Sequence, residues 1–103
     1  MGTAIENAET RLKINGIIWI DEIIEKLLRK HNVVQDEVRE VLRNNPRFRF
    51  IENGHRSGEH VYAALGRTDA GRYLIVFFVC KQDKRALIVS ARDMTAAERK
   101  RYA

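Results

Sequence analysis

Tyr73-Leu74-Ile75-Val76-Phe77-Phe78-Val79-Cys80, followed after a polar turn by Ala86-Leu87-Ile88-Val89-Ser90-Ala91-Arg92, is the stretch whose reading decides the fold. The first run is unbroken, apolar, and rich in β-branched and aromatic residues. At that length it reads as a strand buried on both faces. The second run is a strand that ends in an arginine. Thr95-Ala96-Ala97-Glu98 then has the spacing of a capping box, in which the threonine hydroxyl and the glutamate carboxylate satisfy each other's backbone N–H groups. It predicts a short basic helix over Ala96–Tyr102. Charge placed between a core strand and a deliberately started helix marks this junction as a candidate site.

Upstream, Asp69-Ala70-Gly71 reads as a hairpin turn in which Gly71 takes a positive φ. His60–Thr68 alternates, with Val61, Ala63 and Leu65 on one face, and Arg47–Ile51 alternates again. The segment 52–58 between them is a polar loop, and Gln82-Asp83-Lys84 is a turn. Further back, Ile23, Ile24, Leu27, Leu28 and His31 give one apolar helical face over Glu22–Lys30, with Asp21 as its N-cap. Asn32 fits either a left-handed C-cap of that helix or the N-cap of the next. Val34, Val38, Val41 and Leu42 give the second helix, closed by Asn44-Asn45-Pro46. Ile14–Ile20 reads as a first strand, with Trp19 in the core. The order is β-α-α-β-β-β-β-α. It predicts an α+β domain over 14–103, an antiparallel meander with an αα-hairpin on one face and a short C-terminal helix, preceded by a loose arm over 1–13.

The formal charge of +5 and a pI near 9.7 favour a polyanionic partner, nucleic acid or an acidic protein. One cysteine, Cys80, excludes a disulfide framework and reads as a buried structural thiol suited to a reducing cytoplasm. No segment has the roughly 18 consecutive apolar residues of a membrane span. The N-terminus carries Glu6 and Glu9 and has no apolar signal region. No His/Cys/Asp spacing suits a metal, and no phosphate loop, dinucleotide fingerprint or nucleophile elbow is present.

Arg67, Arg72, Arg92, Arg99, Lys100 and Arg101 fall at or after strand ends in the C-terminal half. Charge at one edge of an apolar sheet suits phosphate binding. Tyr102, on the basic helix, suits either base stacking and proton transfer or packing of the helix on the sheet. His31 suits packing or proton transfer. Glu59 and His60 carry acid–base groups, but adjacent strand residues point to opposite faces.

Lys30-His31-Asn32-Val33, Gly58-Glu59, Ala64-Leu65-Gly66-Arg67-Thr68 with Gly71-Arg72, and Ile88-Val89-Ser90-Ala91-Arg92 with Glu98 and Tyr102 together resemble the BrnT family of type II toxins. The match in order and spacing runs over about 19–102. The resemblance implies a RelE-like fold and a cytoplasmic, metal-independent endoribonuclease that needs no cofactor and blocks translation. It also implies a BrnA-like ribbon-helix-helix antitoxin, operator DNA being reached only through that antitoxin, and no membrane partner. Carried over to this sequence, the catalytic set is Arg92, Arg67, Tyr102 and either Glu59 or His31. The RNA-binding set is Lys30, Arg72, Arg99, Lys100 and Arg101. The chain departs from the family pattern at Ile20, Ile23, Leu27 and Leu87, where polar groups are usual. Those positions motivate a second reading, a non-catalytic relative that keeps the antitoxin-binding surface or acts as a co-repressor.

Overall fold

The computed structural model describes residues 12–103; most of the expected N-terminal arm lies outside them. The central strand is β4 (Tyr73–Cys80), flanked by β3 (Val61–Arg67) and β5 (Arg85–Asp93). The sheet runs β1-β5-β4-β3-β2, with β1 at Gly16–Ile18 and β2 at Arg47–Glu52. The expected antiparallel meander is present as β2 to β5. The fold is α+β, with α1 (Asp21–His31) and α2 (Gln35–Arg43) ahead of the meander and α3 (Ala96–Tyr102) after it.

Both faces of the sheet carry a core, of unequal size. The larger core holds Leu27, Val33, Val38 and Val41 of the helical hairpin against Ala64, Leu74, Val76, Phe78, Ile88 and Ala91. Full burial of each such aliphatic side chain contributes about 1.5–3 kcal/mol. The smaller core holds Ala63, Leu65, Ile75 and Met94, packed by Tyr73, Phe77 and Tyr102 of α3.

Several expectations shift. The first strand is Gly16–Ile18, not Ile14–Ile20, because it pairs in parallel with β5 only from Arg85 to Leu87. Trp19 lies beyond it and packs on the larger core. Asp21 is the first helical residue and not the N-cap. Ile20 holds the cap position in extended backbone, and Asp21 and Glu22 instead meet the positive end of the helix. Asn32 ends α1 in the left-handed region at φ 54°. That conformation excludes the extended backbone of an N-cap, so the second helix starts from Val34, whose N–H is accepted by Glu37 Oε1 at 3.1 Å. The capping box at Thr95 and Glu98 forms as expected, and Gly71 takes φ 95° in the turn.

One irregularity positions the site. Phe77 pairs with Ser90 and Phe78 with Ile88, so Val89 is an extra residue in β5. Strict alternation from Ile88, which is in the larger core, turns Arg92 inward. The bulge reverses the alternation, so that Ala91 enters the core and Arg92 stands on the opposite, α3-bearing face.

Candidate functional site

On that face, residues paired across neighbouring strands bring arginines and aromatic rings together. Arg47 pairs with Leu65, Leu65 with Ile75, and Ile75 with Arg92, while Arg67 pairs with Tyr73. The Arg67 and Arg99 guanidinium groups lie over the Tyr73 ring, 4.6 and 4.3 Å from its centroid. Tyr102 meets Tyr73 edge-on at 6.0 Å, and Arg47 lies 5.9 Å from the Tyr102 centroid. A guanidinium stacked on a ring uses its flat face and leaves its in-plane N–H groups for other acceptors. Arg67 gives one weak bond, to the Gly71 carbonyl at 3.4 Å, and Arg99 makes no side-chain hydrogen bond within the described residues. Two shallow hollows flank this cluster. One of ≈ 560 Å³ runs between Asn44, Arg67 and Tyr102, and one of ≈ 370 Å³ between Asp93, Tyr73 and Arg99.

Arg92 lies 5.6 Å from the Phe77 centroid and forms a two-pronged pair with Glu98, at 2.8 and 3.0 Å. Its Nη1 also donates to the Asp93 carbonyl. Those bonds leave Nε–H and one Nη2–H without a partner among the described residues. The Arg92 bonds, joined by the Thr95 backbone N–H, hold the Glu98 carboxyl down at about 2. The same pairing raises the Arg92 pKa. Glu98 thus closes the cap of α3 and fixes Arg92 with one side chain. Tyr102 is one helical turn further along the same helix.

Arg72 is placed differently. Its Nε and Nη2 donate to Asp93, its Nη1 to Glu37 and the Asn32 carbonyl, and its Nη2 to the His31 carbonyl. All five donors of the guanidinium have acceptors inside the chain. The left-handed turn at Asn32 is what aims two helix-end carbonyls at it. Asp93 is pulled below the usual carboxylate range chiefly by its hydrogen bonds from Arg72.

His31 stands at this end of the sheet, near Asp93, and is half-buried. Lys30, Lys100 and Arg101 are exposed. Glu59 is elsewhere. It precedes His60, whose carbonyl accepts from Cys80 N, whereas Arg92 pairs with Ile75. That separates the two by about 16 Å along β4. Ile23 and Leu27 belong to the larger core, on the other side of the sheet from Arg92. Tyr73 reads in the sequence simply as a residue of the core strand. Its position as the first, half-buried residue of that strand, at the end of the sheet, is the signal that marks it. Arg47 and the acceptors Glu37 and Asp93 do not stand out in the sequence either. Among the described residues no group of three or more His, Cys, Asp or Glu side chains gathers in a metal-binding arrangement. No helix among them is long and apolar enough to cross a membrane.

Comparison with known proteins assigns a family. The family model described as ribonuclease toxin, BrnT, of type II toxin-antitoxin system matches residues 19–98. No curated protein matches the chain. The match takes in every element from α1 to β5 and the start of α3, and the chain belongs to this family.

Proposed function

We propose that the chain is a metal-independent endoribonuclease that inhibits translation and is neutralised by a BrnA-like ribbon-helix-helix antitoxin in the cytoplasm. The observation that carries the RNA-binding part is the placement of the Arg67 and Arg99 guanidinium groups over Tyr73, with few of their donors engaged among the described residues, on the face that also bears Arg92. A ribose 2′-hydroxyl attacks the adjacent phosphate. The O2′–P bond forms, the P–O5′ bond breaks, and the proton lost from the hydroxyl is balanced by one given to the leaving oxygen. Arg92, through its two remaining donors, stabilises the charge that builds on the phosphate oxygens, with Arg67 assisting from across β4 on the same face. His31, at this end of the sheet, is the base we assign, and Tyr102 the acid or the stacking group. Lys30, Arg99, Lys100 and Arg101 hold the backbone. Arg72 serves as a positioning residue, since its donors are already taken. Operator DNA is met only through the antitoxin.

The non-catalytic reading draws on Ile20, Ile23, Leu27 and Leu87. Ile23 and Leu27 pack in the larger core, away from the arginines, which favours the catalytic reading. The test is RNA cleavage in a chelating buffer by the wild type and by Arg92→Ala. The wild type is expected to cut, and the variant to lose about 10²- to 10³-fold in rate. Equal rates, or no cleavage by either, would overturn the assignment. In the latter case, tight antitoxin binding by a chain harmless to growth establishes the non-catalytic reading.

A further inference from the structure

We propose that a hollow at the far end of the α3-bearing face seats one base of the bound RNA, a guanine, and that the Glu59 carboxylate reads its N–H edge. The hollow has a volume of ≈ 290 Å³. Its floor is Val61, Val79 and Leu87, which pair across three adjacent strands in one row. Arg92 pairs with Ile75 and Leu87 with Val79, so the floor lies about 13 Å from Arg92 along β4. A few nucleotides of single strand span that distance.

The polar wall is built before any ligand arrives. Glu59 is only 8% exposed, its carboxylate accepts from Lys81 Nζ at 2.9 Å, and the residue is among those that line the hollow. The Lys81 hydrogen bond, the largest influence on it, keeps that carboxyl below its ordinary value, so the group is an acceptor at neutral pH. A Cβ on Gly54 falls 1.8 Å from the Glu59 carbonyl oxygen, so the loop closes over Glu59 with no room for a side chain. Gln82 Nε2 donates to the Ser57 carbonyl at 3.1 Å and ties the loop to the next turn.

Chemistry selects the ligand. An apolar floor suits the flat face of a neutral ring and penalises a charged group that loses its water there. A cationic side chain of a protein partner also meets Lys81 and Arg56 on the wall. Each carboxylate oxygen has two lone pairs, so Glu59 keeps acceptor capacity beside Lys81. Guanine offers adjacent N–H donors along one edge, which a carboxylate accepts, whereas uracil and adenine offer fewer.

The identification of RNA as the ligand rests on the ribonuclease reading. The test therefore has a binding arm and a cleavage arm, both on the full chain. Titration with 5′-GMP, AMP, CMP or UMP is followed by amide shifts in NMR, with thermal unfolding as the control for folding. Millimolar GMP is expected to shift the amides of Gly54, Lys81 and Leu87, with at least a several-fold preference over AMP and UMP. Glu59→Gln is expected to lose the preference, and Leu87→Trp, which fills the hollow, to lose the binding. In the cleavage arm, wild type is expected to favour one base near the cut and Glu59→Gln to relax it. Cleavage with unchanged base preference in a folded Glu59→Gln variant overturns this proposal and leaves the ribonuclease reading standing. GMP seated in the hollow of a chain that cuts no RNA does the reverse. Equal shifts by all four nucleotides, no shift, or a stronger shift at the same amides by arginine methyl ester also overturns it.

Discussion

Arg67 and Arg72 flank a single hairpin turn, yet their guanidinium groups have opposite fates. Arg72 turns under the helical hairpin, where α1 ends on two free carbonyls and Glu37 and Asp93 converge from α2 and β5. Arg67 turns to the other face, lies over Tyr73 and keeps most of its donors open among the described residues. The turn itself is held by Glu40 and Arg43 of α2 and by Asn44, which caps that helix, all bonded to Asp69. One region joins three elements with an arginine; the other displays arginines on a ring. What separates a structural arginine from a binding one is whether the fold delivers acceptors to it. Residue type and strand position do not decide it.

The largest effect is expected at the junction. Arg72→Ala leaves two carboxylates and two helix-end carbonyls without their donor. Its side chain is 25% exposed, which discounts the figure for a fully buried pair, and a loss of about 2–4 kcal/mol is expected in urea unfolding. Arg72→Lys is expected to recover little of it, because one ammonium cannot reach acceptors arranged around a planar fork. A folded Arg72→Ala chain with unchanged stability and weakened RNA binding breaks the comparison, since both regions then belong to the same surface.

A smaller effect is expected from the Arg92–Glu98 pair, which stands between the two cases because Arg92 is partly engaged. The Glu98 carboxyl lies at about 2, below its ordinary 4.5. A carboxyl with a depressed folded pKa stabilises the protein above the unfolded value, and that contribution is lost as pH falls through the folded one. The pair therefore contributes fully above about pH 4.5 and fades toward pH 2. Allowing for solvent screening, roughly 1–2 kcal/mol is at stake. Glu98→Gln is expected to be less stable at pH 7 and to show a flatter loss of stability across that window. Parallel pH profiles for the two proteins would show that Glu98 is not the titrating group.

How far the sequence carries this picture depends on the range over which each feature is determined. The capping box, the Gly71 turn, the helical faces and the meander are local, and periodicity or spacing reveals them. The parallel pairing of Gly16–Ile18 with β5 joins segments about seventy positions apart, and nothing in either segment announces it. The bulge at Val89 is equally hidden, although it alone turns Arg92 out of the core. The saturation of Arg72 rests on acceptors 21 to 41 positions away, so Arg72 and Arg67 look alike as sequence. Glu59 and Arg92 entered one catalytic set through the resemblance. The register of β3, β4 and β5 puts them at opposite ends of the sheet.

The smallest effect on stability, and the sharpest on binding, is expected at the arginine–tyrosine cluster. Arg67→Ala and Arg99→Ala each remove an exposed guanidinium that holds almost no hydrogen bonds, so unfolding free energies are expected to change by no more than about 0.5 kcal/mol. Each substitution that deletes a phosphate contact reduces the slope of log affinity against log salt by about 0.7 for single-stranded RNA. Tyr73→Leu keeps the apolar contact with the smaller core but removes the ring that orients both arginines. If the ring does no more than fill space, Tyr73→Leu leaves the salt slope and the affinity unchanged. If it presents the two guanidinium groups as a pair, the single variant weakens RNA binding about as much as Arg67→Ala and Arg99→Ala combined, while both arginines remain in the chain.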